Sequence, residues 1–360
     1  MKGLVMKNLV MKDLTIAVTG INSIDNPGPG TGVARSLREA DSSPRIVGLA
    51  YDATEPGLYM DWLFDRRYMM PYPSSDPEVL IERLQQIQQQ FGLDCVIPNF
   101  DVELPLYIQC AKELESIGIR TYLPTKAQFA LRNKAKLAEV APSFGLTTPK
   151  TITVTSVKEL QEATAELGFP VMVKGPYYKA YRALSQAEAA SRFHQLAAEW
   201  GFPILVQEIA HGIELNLVGV GDGKGGHLGL VAIKKMGVTE LGKIWSGLTI
   251  HHPGLINAAE AFLRESQWRG AFELECIVDR DGTIYLIEIN PRFPAWTYFA
   301  TGVGINLPER LVQAAFGLPM VDLSQPPLTA YEPGKLFMRY TYEMVLDSAP
   351  LQTLVTQGER

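Results

Sequence analysis

At roughly 150 residues per domain, a chain of 360 residues is expected to carry two to three domains. Its 46% hydrophobic and 20% charged residues run along the whole length, enough to bury a large core, which excludes a disordered or fibrous protein. Thirty-three Lys and Arg against 39 Asp and Glu leave a net charge of −6 with no basic run, so no nucleic-acid partner is expected.

The chain opens with a repeated phrase, Met1-Lys2-Gly3-Leu4-Val5, Met6-Lys7-Asn8-Leu9-Val10, Met11-Lys12-Asp13-Leu14. It is too short to stack on itself and lacks the continuous apolar run of a secretion signal, so residues 1–13 are expected to be a flexible extension. Leu14 to Val18 is a buried-strand pattern ended by Gly20, followed by a Gly- and Pro-rich loop from Asn22 to Gly32 and a helix from Val33 to Ala40. The spacing of Gly28, Gly30 and Gly32 does not fit a dinucleotide fingerprint, which needs glycine where Val33 stands. A flexible loop over a sheet edge is expected instead. Arg45 to Ala50 and Asp94 to Pro98 are further strands, and Pro77 to Phe91 and Glu103 to Gly118 are helices. Strand and helix in alternation predict a parallel sheet wrapped by helices, with ligands beyond the carboxyl ends of its strands. Asn99, Asp101 and Glu103 lie at such an end, and for Asp101 a ligand role and a helix cap are equally open.

Near Thr125 the pattern changes. Gln128 to Val140 is helical, Thr151 to Val154 a short strand, and Ser156 to Leu167 a helix with Ser156 and Glu159 in capping-box register. The strand Pro170 to Lys174, the helix Gln186 to Glu199 and the strand Ile204 to Glu208 follow. From Glu214 onward β structure dominates: Leu215 to Val220, Leu228 to Lys235, Glu273 to Val278, and Thr283 to Asn290 across an Asp281-Gly282 turn. Leu336 to Val345 is a late strand. The apolar runs are strand-sized, far short of the roughly 18 residues of a membrane span, so no membrane partner is expected. Cys95, Cys110 and Cys276 are too few and too scattered for a disulfide framework or a zinc site, as in a cytoplasmic enzyme.

The hairpin of residues 273–292 carries the strongest chemical signal. Side chains two apart share a strand face, so Glu273 and Glu275 point together, as do Glu288 and Asn290. A tight turn brings the two sets close, placing two or three carboxylates and an amide on one face. Like charges so near need a cation between them, and Mg²⁺ takes one or two carboxylates and fills its octahedron with water and substrate phosphates. Lys174 ends a buried strand, where a directed lysine is more expected than a snorkelling one. Cys276 alternates with Glu275 and so faces the core. Adjacent His251 and His252, in a loop after a Trp245-Ser246-Gly247 turn, diverge, so no shared metal is expected; they read as loop residues, with substrate contact the alternative. Phe293, Trp296 and Tyr298 are core aromatics or the lining of an apolar acceptor pocket.

The order of Lys134, Lys174, a hinge with Glu214, and Glu275 thirteen residues before Glu288-Ile289-Asn290-Pro291-Arg292 resembles the ATP-grasp superfamily. The hairpin spacing is similar to that of D-alanine–D-alanine ligases. Its Glu-x-Asn-Pro-Arg ending looks like the carbamoyl-phosphate synthase and biotin carboxylase branch. The resemblance implies an α/β ATP-grasp fold: a Rossmann-like parallel-sheet domain (the pre-ATP-grasp domain) at 14–124, a small ATP-grasp subdomain with its linker helix at 125–212, and a large subdomain with the metal hairpin and tail at 213–360. It implies ATP and Mg²⁺, with two ions. Lys134 and Lys174 would contact phosphates, Gln207, Glu208, Ile209 and Ala210 would cradle adenine, and Glu214 would hold the ribose. Lys234 or Lys235 would reach the γ-phosphate, and Glu275, Glu288 and Asn290 would hold metal. Arg292 would steady an acyl phosphate. The implied activity is ligation of a small-molecule or peptide carboxylate to an amine, the alternatives being bicarbonate-dependent carboxylation or carbamoylation and a non-catalytic ATP-binding regulatory role, and a homodimer is allowed because many relatives are dimers. One departure stands out. Where the family carries a glycine-rich lid, residues 175–182 hold a single glycine, so Tyr177, Tyr178, Lys179 and Arg182 would have to replace backbone donors.

Overall fold

The computed structural model describes residues 9–175, 179–319, 329–341 and 343–360. Four parallel strands form the first sheet: β1 (Thr15–Val18), β2 (Arg45–Ala50), β3 (Arg66–Met69) and β4 (Cys95–Ile97), in the order β3-β2-β1-β4. Buried on both faces, β1, β2 and β4 read as near-continuous apolar runs, whereas the edge strand β3 opens with Arg66 and Arg67. Helix α1 (Pro29–Arg38) covers one face, and α2 (Pro77–Phe91) and α3 (Leu104–Ser116) cover the other. In α2 the residues Leu80, Ile81, Leu84 and Ile87 recur at helical spacing and are buried. The Gln-rich remainder faces outward.

Two expectations fail at this end of the chain. Residues 1–8 lie outside the described residues, but Met11–Asp13 forms a 3-10 turn whose Met11 is buried in the core, so the extension is anchored before residue 13. The glycine cluster is not a mobile loop either, because α1 starts at Pro29 and Gly30 and Gly32 lie within its first turns. An added Cβ on Gly28 would collide with the Gly20 carbonyl and the Asn22 side chain, and one on Gly30 with the Thr19 carbonyl. The glycines are there for close packing of backbone on backbone.

A short helix, α4 (Lys126–Ala130), leads out of this layer, capped by a reciprocal Thr125–Gln128 box. The single helix expected over 128–140 is broken into α4, a 3-10 turn at Lys134–Lys136 and one turn at Leu137–Val140. The second sheet is antiparallel, in the order β5-β8-β6-β7: β5 (Thr151–Val154), β6 (Val171–Lys174), β7 (Ala180–Ala183) and β8 (Ile204–Glu208). Helices α5 (Val157–Leu167) and α6 (Gln186–Trp200) pack on one face through Leu160, Phe193 and Leu196, which leaves the other face open. Ser156 caps α5 by accepting from the Glu159 N–H at 3.2 Å, but the Glu159 carboxylate turns to the Thr155 N–H at 2.6 Å instead of completing the box.

The third sheet has the order β13-β12-β9-β10-β11-β14: β9 (Ile213–Asp222), β10 (His227–Val238), β11 (Ile244–Thr249), β12 (Arg269–Val278), β13 (Ile284–Asn290) and β14 (Leu336–Met338). One face carries Leu215, Leu217, Leu274, Cys276 and Ile289 against α7 (Pro253–Ser266). The other carries Val218, Val231 and Ile233 into the core shared with α1 and α8 (Leu307–Phe316). Strand β11 stands where a Trp245 turn was expected. The strand expected over 336–345 ends at Met338. A last helix, α9 (Ala349–Gln357), brings the chain back to the first sheet, where Arg360 exchanges backbone hydrogen bonds with Arg67 and Gly358 accepts from Met69. Among the described residues no helix is long and apolar enough to cross a membrane.

Candidate active site

The open face of the second sheet and the polar end of the third meet at one cluster of charges. In the third sheet the register places Glu275 opposite Glu288, Glu273 opposite Asn290, and Asn216 beside Glu275. Strand alternation sends Glu273 and Glu275 to the same side while Phe272, Leu274 and Cys276 face α7, and all three cysteines are buried. The tight turn at Asp281-Gly282 forms as expected, with Gly282 at φ +84°.

Lysines supply the positive charge that paired acids require. Lys134 Nζ stands 3.1 Å from Glu288 Oε1, and Lys235 Nζ stands 2.7 Å from Glu214 and 3.5 Å from Glu275. Burial opposes the charged form of Lys235, but Glu275 and Glu214 outweigh it and raise its pKa. Lys174 reaches in from the second sheet. Its own burial and the nearby Lys134 lower its pKa to about 8, while Glu288 and Glu275 pull the other way. Lys134, Lys174, Lys235, Glu214, Glu275 and Glu288 are thus brought together. Lys234 is not, because it sits one position from Lys235 and opposite Leu215 and Leu248, which turns it to the other face of the sheet.

Glu273 and Asn290 are more enclosed, 3% and 4% exposed. The Glu273 carboxylate accepts from Asn216 at 2.9 Å, Trp296 Nε1 at 2.7 Å and Asn290 Nδ2 at 3.0 Å. Burial and the adjacent Glu275 raise its pKa to about 7, against Arg292, Trp296 and Asn216. With its oxygens committed to protein donors, Glu273 is an internal anchor rather than a third metal carboxylate. Asn290 Nδ2 also donates to Glu275 at 2.9 Å, and its Oδ1 accepts from Arg292 at 3.3 Å.

The remaining pair suits a hard divalent ion. Glu275 and Glu288 oppose each other with 27% of each side chain still exposed, and a turn of the Asn290 amide would set an oxygen where its nitrogen now meets Glu275. Among the described residues no three His, Cys, Asp or Glu side chains gather into a metal cluster. Two carboxylates and an amide leave the rest of an octahedron to water and phosphate, which is how Mg²⁺ is usually held.

Arg292 lies beside them. Its Nε donates to Asp101 Oδ2 at 3.0 Å, its Nη1 to the Phe293 carbonyl at 3.3 Å, and Glu273 is 3.9 Å away. Burial would lower its pKa, but Asp101 and Glu273 raise it. The adenine candidates sit across the cleft. Gln207, paired with Met172 and therefore on the Lys174 face, donates to Thr151 Oγ1 at 2.8 Å, whereas Glu208 spends its carboxylate on the Lys150 N–H at 2.7 Å. Ile209 and Ala210 are the half-buried connector to β9.

In the lid, Tyr177 and Tyr178 lie outside the described residues. Lys179 is turned away from the cleft onto Glu199 of α6, at 2.7 and 2.8 Å. Arg182 pairs with Met172 and shares the Lys174 face. Phe293 and Trp296 are buried in the core, whereas Tyr298 is half-buried, its ring centre 3.6 Å from the Arg35 guanidinium and its hydroxyl on Glu39. His252 Nδ1 accepts from the Leu255 N–H at 3.0 Å and caps α7. Sequence reasoning grouped Glu273 with the metal acids, left Asp101 open and did not weigh Asn216. The Val218 and Val231 pattern around Asn216 was a usable signal, since a polar residue on a buried strand face needs a partner.

No family model matches the chain. It is similar to the carbamoyl phosphate synthase large chain of Saccharolobus islandicus, 26% identical over 237 residues that make up 60% of this chain and 22% of that protein. The same enzyme chain of Thermotoga neapolitana is 25% identical over 302 residues, 79% of this chain and 25% of that one. The chain therefore spans about a quarter of the length of these relatives. Among solved structures it resembles an ADP complex of N5-carboxyaminoimidazole ribonucleotide synthetase (TM-score 0.67, 16% identity, 88% of this chain and 80% of that one). Biotin carboxylase of Campylobacter jejuni (0.66, 17%, 87% and 73%) and L-amino acid ligase of Bacillus licheniformis (0.64, 16%, 91% and 79%) are also similar. The fold is the ATP-grasp fold. Within that class, the curated sequences named here are carbamoyl phosphate synthase large chains.

Proposed function

We propose that this chain is an ADP-forming carboxylate–amine ligase using ATP and Mg²⁺. The observation that carries it is the opposition of Glu275 and Glu288 with Lys134, Lys174 and Lys235 around them, in a cleft between two antiparallel sheets. In this reading Lys134, Lys174 and Lys235 neutralise the triphosphate, Gln207 and the 208–210 connector border the adenine, and Glu214 takes the ribose. Glu275, Glu288 and Asn290 hold Mg²⁺, two ions in the full complex, and the metal when bound lowers the charge barrier to phosphoryl transfer. The substrate carboxylate attacks the γ-phosphorus, and ADP leaves. Arg292 holds the acyl phosphate and the oxyanion formed when the amine displaces phosphate. Small-molecule or peptide carboxylates and amines fit this scheme.

The structural relatives support amide- and carboxylate-forming chemistry, since they include an L-amino acid ligase and a biotin carboxylase. A second reading, formation of a carboxylated or carbamoylated product through carboxyphosphate, is favoured by the carbamoyl phosphate synthase sequence relatives. Measuring ADP release against libraries of carboxylates and amines, with mass analysis of products, separates them. The ligase requires both an organic carboxylate and an amine, whereas the alternative requires bicarbonate. Glu288→Gln should abolish ADP release with the fold intact by circular dichroism, and an unchanged rate would remove the assigned metal role.

A further inference from the structure

Asp101 lies in the loop after β4 of the first sheet, and its carboxylate stands between Arg292 of the site and Arg132, two residues before Lys134. Arg132 Nη1 donates to Asp101 Oδ1 at 2.9 Å and Arg292 Nε to Oδ2 at 3.0 Å. The Asp101 side chain is 9% exposed. Burial alone would raise its pKa, but Arg292 and Arg132 overcome that and hold it below the usual range. Removing a carboxylate shared by two largely buried guanidiniums strands charge, which costs far more than breaking a surface pair.

The loop that presents Asp101 is itself fixed. Glu103, wholly buried, accepts from the Asn99 N–H at 2.7 Å and the Phe100 N–H at 2.9 Å, and from the hydroxyls of Thr19 and Tyr51. Asn99 Nδ2 donates to the carbonyls of Thr19 at 3.1 Å and Ile97 at 2.9 Å, and the Phe100 ring packs 6.1 Å from that of Tyr51. The crevice between the carboxyl ends of β1 and β4, where open α/β sheets usually take ligands, is closed by these contacts. It has become a mount.

We infer that Asp101, held by Glu103 and clamped on its other oxygen by Arg132, is a positioning residue that sets the Arg292 guanidinium against the reacting carboxylate. This deepens the ligase reading and rests on it for the role of Arg292. The mount joins parts of the chain far apart in sequence, so the first sheet contributes to the reaction without touching nucleotide.

Two measurements on the full chain test it. In Asp101→Asn, ADP release at saturating ATP should fall about 100-fold, the usual penalty for misplacing a group near the chemistry by an ångström, while MgADP affinity by calorimetry stays that of the parent. Retained turnover would overturn the inference. The second measurement does not use activity. The Nε–H proton of Arg292, assigned in the NMR spectrum by its loss in Arg292→Lys, should be a slowly exchanging signal in the parent and in Glu288→Gln, and should vanish into solvent exchange in Asp101→Asn. A signal unmoved in Asp101→Asn refutes the positioning role. If the parent releases no ADP with any carboxylate and amine, the ligase reading falls, and the proton signal still decides whether Asp101 holds Arg292.

Discussion

Glu273 and Glu275 differ by two positions and by role. Both project into the same acidic patch, but Glu273 is sealed by Asn216, Trp296 and Asn290, and Glu275 stays open to the cleft. Their shared face was legible from strand alternation. Their separate duties were not, because the donors come from β9 and from the segment after β13, which only folding brings near. The Lys234 and Lys235 ambiguity has the same origin, since a one-residue choice of face depends on register. Trp296→Phe keeps the ring and removes the indole donor from a buried carboxylate. It should lower stability by about 1–3 kcal/mol in urea unfolding, more than an exposed Trp62→Phe change. Glu55 offers a pH test away from the cleft. Burial lifts its pKa to about 7 despite N–H donors from Tyr51 and Asp52, so the folded state holds a proton that the unfolded chain releases near its ordinary value of 4.5. Its contribution to stability is full below about 4.5 and is lost as pH rises through about 7. The melting temperature of Glu55→Gln should therefore gain on that of the parent over this window, and a pH-independent gap would refute the assignment.

Among the elements, the parallel sheet and the acidic hairpin announced themselves through periodicity and turn residues. Those that were missed had weak local signals. Strand β11 carries Trp245-Ser246-Gly247, which reads as a turn, and becomes a strand because β10 and β14 flank it. Strand β7 was taken for lid because residues 175–182 stand where the resembled family carries one, yet Val171 and Val173 pair with Ala183 and Tyr181 and recruit it as an edge. Helix α7 follows a histidine pair that looked like plain loop. His252 is its cap, so His252→Ala should cost about 1 kcal/mol by denaturant titration, as loss of a good cap usually does. His251→Ala should leave stability nearly unchanged. Gly28→Ala, by contrast, forces a Cβ into the Gly20 carbonyl and should displace the start of α1, read as a lowered melting temperature.

At the level of the whole molecule the three sheets share one organisation, in which the first carries Asp101 against Arg292, the second presents Lys174 and Gln207 on its open face and the third carries the acids. Hydrophobic patterning suggested separate blocks but could not show that α1 and β9 share a single core, because Ala34 and Val218 carry no mark of each other in sequence. The tail, whose place was not legible at all, runs along the outer edge of β3: Arg360 pairs with Arg67 and Asp61, Arg83 reaches the Gly358 carbonyl, and Leu354 is buried. Backbone groups on a sheet margin invite pairing with whatever strand comes by, and here the chain meets that demand from its own far end. Removing residues 349–360 from the full chain would leave a bare margin at Arg66–Met69. The shortened chain should self-associate in sedimentation beyond whatever the intact chain shows, and adding a peptide of residues 349–360 should reverse the difference.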